Sequence, residues 1–413
     1  MSDLVTLTLL AAQERARGGA RADLRARGVV PTPSVLARRA VARVDALLRT
    51  ELGVTAGLAS ERVVIVDPAV GTGVWLAAVL ELTRARGAAG QLLGFDSDPQ
   101  ALSVAAGLLE PEAKRQGASL TLRCANTLEL AAPFPDLASV RVILGNPPWA
   151  ARSLARGGPL SDAWLTEFHR DHTGAPLGER RLGVLSDDYV RFFRWALEHA
   201  RTAPQGALVC FATNASFLDG PVHRGMRAAL LRGFDQLELL DLGGNSLLSR
   251  AAERERDDNV FGVRVGAALT WALRKPAHLR SDERASPVRF AALRGSLAQK
   301  LSVLSGASPR LVEHTPRGPW FRFRPEGKGA QPAPGFSIAD ALPFQREGIQ
   351  TNRDAVATAG SHAELAQRVR DLIAGRLVLP TLRHFDPARA RAPERGQRAR
   401  RVVHRKARLS AAG

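Results

Sequence analysis

The chain has 413 residues, 45% of them hydrophobic, and a formal net charge of +18 at pH 7, with a pI near 11.3. That length can bury a sizeable core and allows two domains, whereas two cysteines exclude a disulfide framework and cannot by themselves make a zinc site. The basic excess, nearly all arginine, favours a polyanionic partner because contacts to phosphates release condensed counterions, although coding bias toward Arg and Ala produces the same composition.

The first stretch, Met1 to Leu10, is apolar but lacks a basic leader and a cleavage pattern, and no apolar run reaches spanning length. A cytoplasmic protein without a membrane segment is expected, with Cys124 and Cys210 as inert core thiols. Residues 5–27 read as a helix that breaks at Gly28. Val29 to Ser34 follows, then a second helix to about Leu48. Pro33 and Ser34 suit a helix start, either as an ordinary cap or as a place where free amides hold an anion beside Thr32.

Arg62 to Val66 is a buried-strand run that ends in Asp67-Pro68-Ala69-Val70-Gly71-Thr72-Gly73, with a helix from Val74 to about Arg86. Glycines at 71 and 73 permit a sharp turn and a close ligand approach. The run lacks the third glycine of a dinucleotide fingerprint and the Gly-Lys-Ser/Thr ending of a phosphate-binding loop. A second strand, Gln91 to Phe95, ends at Asp96, an acidic position suited to ribose hydroxyls, while Asp98 reads as a cap for a helix from Gln100 to Leu109. Leu120 to Ala125 is a third strand, ending at Asn126. Val140 to Gly145 is a fourth, running into Asn146-Pro147-Pro148-Trp149.

Two consecutive prolines remove two backbone donors. The segment is therefore either a strand entering a proline turn or a site where the Asn146 amide oxygen and the Pro147 carbonyl accept hydrogens from a planar NH2 group stacked on Trp149. Residues 150–181 read as a substrate loop; His169, Asp171 and His172 lack a ligand spacing that would favour zinc. An amphipathic helix from Asp187 to His199, a fifth strand Gly206–Thr213, a helix Val222–Arg232, a sixth strand Leu237–Leu242 and a seventh, Gly266–Leu273, antiparallel to the sixth, complete the pattern. Strands alternating with helices and ending in polar or glycine-rich turns predict an α/β fold: a mostly parallel seven-stranded sheet whose ligands lie beyond the carboxyl ends.

In order, these marks resemble the N6-adenine DNA methyltransferases of the Asn-Pro-Pro-aromatic class. Val30-Pro31-Thr32-Pro33 looks like motif X, Asp67 to Gly73 like motif I, Asp96 like motif II, Asn126 like motif III and Asn146 to Trp149 like motif IV. Motif X more often carries an aromatic residue where Pro31 stands, and motif III an Asp where Asn126 stands. Asp187-Asp188-Tyr189, Asn214 to Gly220, Leu240 to Asn245 and Asp257 to Phe261 are similar to the methyltransferase portion of type ISP restriction-modification enzymes, over roughly residues 25–390.

The resemblance implies a Rossmann-like class I S-adenosylmethionine-dependent domain over 1–280, a small or incomplete target-recognition region over 281–380, and a basic tail over 381–413. From Arg383 that tail has ten Lys or Arg against two carboxylates, a balance of +8. It further implies S-adenosyl-L-methionine as cofactor, held by Thr32, Asp67, Gly71, Gly73, Asp96 and Asn126. Methyl transfer to the N6 amino group of a flipped adenine would fall to Asn146, Pro147, Pro148 and Trp149. Double-stranded DNA is the implied partner, alongside a separate nuclease, helicase or specificity subunit. An RNA base or a protein glutamine as acceptor, and a non-catalytic DNA-binding remnant, are the alternative readings.

Overall fold

The computed structural model describes residues 3–17, 28–130, 134, 139–149, 165–179, 181–246, 256–280, 287–306, 309–325 and 361–373. The chain divides into two units, Met1–Gly329 and Ala330–Gly413. Of the second, the described part is a helix, His362–Ile373, with a Gln367 to Asp371 side-chain bond at 3.1 Å along its surface. The basic tail, and most of the target-recognition region implied beyond residue 325, lie outside the described residues.

The first unit is built on one sheet. Its strands are β1 (Val63–Asp67), β2 (Gln91–Asp96), β3 (Leu120–Cys124), β4 (Val140–Gly145), β5 (Ala207–Asn214), β6 (Gln236–Gly243), β7 (Ala267–Arg274), β8 (Val288–Ala292) and β9 (Val312–His314). They lie in the order β3-β2-β1-β4-β5-β7-β6-β8-β9. Pairing is parallel from β3 through β5, β7 runs antiparallel to both β5 and β6, and β8 is parallel to β6. The expected antiparallel seventh strand is thus present, wedged between the fifth and sixth.

The strand count differs from seven. β8 and the three-residue β9 extend the sheet beyond residue 280; β9 pairs antiparallel with β8. β8 is five residues long with Arg289 inside it, and β9 exposes Val312 and Glu313, so neither gives the long apolar run of the central strands.

Helices cover both faces. In chain order they are α1 (Leu4–Arg17), α2 (Ser34–Glu51), α3 (Val74–Thr83), α4 (Pro99–Gln116), α5 (Asp188–Arg201), α6 (Arg224–Gly233) and α7 (Leu297–Ser305). Because side chains alternate across a strand, Val63 and Ile65 of β1 join α2 and α3 in one core while Val64 and Val66 join α5 and α6 in the other. That explains why β1 and β4 are buried at every position and read as continuous apolar runs.

Two local expectations are corrected. The helix expected to end at Leu109 continues through Pro111 to Gln116 and stops at Gly117, whose left-handed conformation (φ 66°) caps it. Cys210 is buried, but Cys124 is exposed, because β3 is an edge strand with only β2 beside it.

Candidate active site

Beyond the carboxyl ends of β1, β2 and β4 the polar strand ends converge on one cleft of about 200 Å³. Thr32, Gly71, Asp96, Asn126, Asn146 and Pro148 line it together. Residues separated by more than a hundred positions in the chain are thus brought to one wall by the sheet order.

The turn after β1 is held by carboxylates. Asp96 Oδ2 accepts from the Gly71 amide at 2.9 Å and its Oδ1 from the Asp98 amide at 2.9 Å. Gly73 begins α3 at φ 95°, and a Cβ there would stand 2.7 Å from Leu109 Cδ1, so both the turn and the approach of α4 require glycine. Asp98 caps α4 through the Gln100 and Ala101 amides, with Pro99 at its first position.

Asp67 stands beneath this turn with no exposed surface. Its Oδ1 accepts from the Ala69 amide at 3.1 Å, and its Oδ2 is buried without a hydrogen-bond partner among the described residues. Burial, with the Asp96 charge adding to it, pushes its carboxyl well above the ordinary range. Gly145 packs directly against it: a Cβ at 145 would lie 2.7 Å from Asp67 Oδ1.

The Asn146 segment is fastened to residues 28–32. Asn146 Nδ2 donates to the Val30 carbonyl at 2.7 Å, and the Trp149 amide donates to the Gly28 carbonyl at 2.9 Å. Trp149 Nε1 donates to Asn146 Oδ1 at 2.9 Å, which fixes the amide's orientation from its other side. Thr32, itself buried, accepts from Trp75 Nε1 at 3.2 Å. Asn126 caps the turn after β3, accepting from the Leu128 amide and donating to Glu129 at 2.8 Å.

Four expected residues are not on the cleft wall. Asp67 lies below it, Gly73 is inside the α3 start, Pro147 is buried, and Trp149 turns aside to meet Phe261 edge-on, with centroids 4.9 Å apart. Phe261 belongs to a loop pinned by Asn259, whose Nδ2 donates to the Gly244 and Val265 carbonyls and whose Oδ1 accepts from the Phe261 amide at 2.8 Å. Asp257 fastens the same loop by accepting from the Gly244 amide at 2.7 Å and pairing with Lys300 at 2.6 Å.

Several lining residues carried no local signal. α1 lies over the glycine turn and contributes Ala12 and Arg15 to the cleft. Thr72 Oγ1 donates to the Thr8 carbonyl at 2.8 Å, the Val5 amide donates to Glu81 at 2.9 Å, and Arg15 pairs with Asp98 at 2.6 Å. From the other side α5 brings Asp188 and Phe192. Next to them Asp187 is raised to about 6 by burial and by the Asp188 charge. In the loop read as substrate-binding, Asp171 closes a turn by accepting from Thr173 and Ala175; residues 150–164 are outside the described set.

No protein-family model matches the chain, and no curated protein matches it. Solved structures do. It is similar to DrdV in complex with DNA (21% identity, TM-score 0.65, 89% of this chain and 39% of that one). It is likewise similar to LlaBIII, an ATP-dependent type ISP restriction-modification enzyme bound to DNA (19%, TM-score 0.65, 89% and 27%). A third is a nuclease-deletion mutant of the type ISP enzyme LlaGI with a DNA substrate mimic (18%, TM-score 0.61, 88% and 39%). The chain spans less than two fifths of the length of each. With the sheet order described above, these likenesses show a Rossmann-like α/β fold.

Proposed function

We propose that this chain transfers a methyl group from S-adenosyl-L-methionine to the N6 amino group of an adenine flipped out of double-stranded DNA, as the modification part of a restriction-modification or phage-defence system. The observation that carries the reading is the continuity of one cleft from the Asp96 and Gly71 turn to the Asn146 amide. The DNA-bound state of the similar structures and the net charge of +18 support DNA as the substrate. A separate nuclease, helicase or specificity subunit would supply the functions that the longer similar proteins carry in one chain.

The residues present fit the cofactor. Asp96 lines the cleft as an acceptor for ribose hydroxyls, the Gly71 backbone is open to close approach, and Asp67 supports the glycine turn from beneath the wall. Asn126 borders the adenine end and Thr32 the carboxylate end. Gly73 sets the start of α3 that shapes this wall. When bound, S-adenosyl-L-methionine supplies a methyl group carried on a sulfonium.

The acceptor nitrogen of adenine is a poor nucleophile because its lone pair is delocalised into the ring. Asn146 Oδ1 has two lone pairs, of which Trp149 uses one; the other accepts one amino hydrogen, and the Pro147 carbonyl accepts the second. Holding both hydrogens favours a pyramidal nitrogen with its lone pair free for attack. Pro148 rigidifies the segment, and Trp149 offers the flipped base a stacking face. Transfer of a radiolabelled methyl from S-adenosyl-L-methionine to double-stranded DNA, abolished by Asn146→Ala, tests the reading. Labelling of RNA or protein in place of DNA would overturn it.

A further inference from the structure

A second cavity lies at the other end of the sheet. β6 and β8 pair at Glu238 and Arg289, near their amino ends, whereas the cofactor cleft lies beyond carboxyl ends. This cavity, of about 590 Å³ and open to solvent on one side, lies between one face of α2, carrying Arg39, Arg43 and Ala46, and β6 to β9. Its charges do not cancel.

Glu238 has no exposed surface and is saturated: it takes two bonds from Arg43 at 2.6 and 2.7 Å, one from Gln236 Nε2 at 2.9 Å and one from Arg289 at 3.4 Å. Glu313, the other carboxylate of the lining, faces Arg289 Nε at 3.6 Å. Arg39 has neither. Its Nη2 is buried without a hydrogen-bond partner among the described residues, and burial draws its pKa down with no carboxylate to offset it. A desolvated guanidinium edge without an acceptor is costly, and the planar fork matches phosphate or carboxylate oxygens.

The rest of the lining is apolar. Leu240 and Trp271 form the sheet side, with the indole fixed by its Nε1 bond to the Ala40 carbonyl at 3.1 Å, and Leu311 closes another wall. Ala42 and Ala46 leave room on the helix side. The geometry points to a binding site, separate from the cofactor cleft, for a small organic phosphate whose anionic group meets Arg39 and whose apolar body lies against Trp271 and Leu240. It shares no lining residue with the cleft that holds Asn146.

Isothermal titration of the full chain tests this, with saturating S-adenosylhomocysteine blocking the cofactor cleft. Phenyl phosphate is the probe, and inorganic phosphate and phenol are the comparison arms. Phenyl phosphate is expected to bind at least tenfold more tightly than either, and Arg39→Gln to weaken it at least tenfold while leaving S-adenosylhomocysteine affinity and the melting temperature unchanged. Undetectable binding by the wild type, or equal binding by R39Q, would overturn the site. Equal affinity for inorganic phosphate would overturn the place given to the apolar body. Ala46→Leu, which narrows the cavity and keeps Arg39, is expected to weaken phenyl phosphate but not inorganic phosphate; the reverse contradicts the geometry.

Discussion

The two sides of the cleft, which we assign to the cofactor and to the acceptor, are built differently. On the cofactor side the chain's own bonds complete the turn: Asp96 holds the Gly71 and Asp98 amides, and Arg15 bridges to Asp98 from α1. On the acceptor side the key amide is held from both ends, by Val30 and by Trp149, and the same indole rests on Phe261. One side is a preformed wall; the other is an aligned donor and acceptor whose oxygen is already shared. Substitutions on the first side should therefore change cofactor affinity, and those on the second should change the rate of transfer.

The sharpest break in that division comes from Asn146→Ala. Losing an amide aimed at the reacting nitrogen should lower kcat by about 100- to 1,000-fold, in the range for removal of one preorganised hydrogen-bonding group. Cofactor affinity measured on the same protein should stay within about twofold, since Asn146 is placed on the acceptor. A parallel loss of cofactor binding would merge the two sides.

The acceptor side was also the more legible one in sequence. Asn146-Pro147-Pro148-Trp149 follows the apolar strand β4, and Asp67 and Asp96 end β1 and β2, so these polar residues stand out against runs that are buried throughout in β1 and β4 and at the four central positions of β2. What was not legible depended on distance in the chain. Arg15 meets Asp98 across 83 positions, and Phe261 meets Trp149 across a longer span still; neither leaves a local pattern. β8 and β9 give weak sequence signals because they lie at the margin of the sheet, where little apolar surface is needed, and the exposure of Cys124 follows from the same rule at the opposite edge. Phe192 reads as core from its helical spacing and is nearly all core, yet one edge reaches the cleft.

A smaller effect tests the cofactor side. Arg15→Ala removes a partly buried ion pair that ties α1 over the cleft, worth about 1 kcal/mol, so cofactor affinity by calorimetry should fall roughly fivefold. At saturating cofactor kcat should be unchanged. A fall in kcat instead would place α1 in the acceptor's half.

Smaller still, Trp149→Phe keeps a stacking ring and removes the Nε1 bond to Asn146, a net interaction of about 0.5–1.5 kcal/mol. Steady-state kinetics should show a change of roughly threefold in kcat, with cofactor affinity untouched. Trp149→Ala, lacking the ring as well, should be distinctly worse in KM for DNA, and equal behaviour of the two would remove the stacking role.

A stability effect concerns the scaffold that both sides share. His223 is lowered to about 4 by burial, with Arg227 adding to it, and its Nε2 lies 3.0 Å from the Tyr189 hydroxyl. The folded state therefore prefers the neutral ring. Its contribution to stability is complete above the ordinary histidine value near 6.5 and is lost as pH falls toward 4. The urea midpoint should drop between pH 6.5 and 5, and His223→Gln should flatten that drop; an unchanged slope would mean that the ring is charged in the fold.

Titration of the full chain with S-adenosyl-L-methionine, followed by the same titration of Asp96→Ala, bears most directly on the claim that this cleft belongs to a methyltransferase. One-to-one binding that weakens about tenfold or more in the variant is the predicted result, consistent with loss of a charge-assisted bond of about 1.5–3 kcal/mol. No heat of binding in the wild type, or binding indifferent to Asp96, would contradict it.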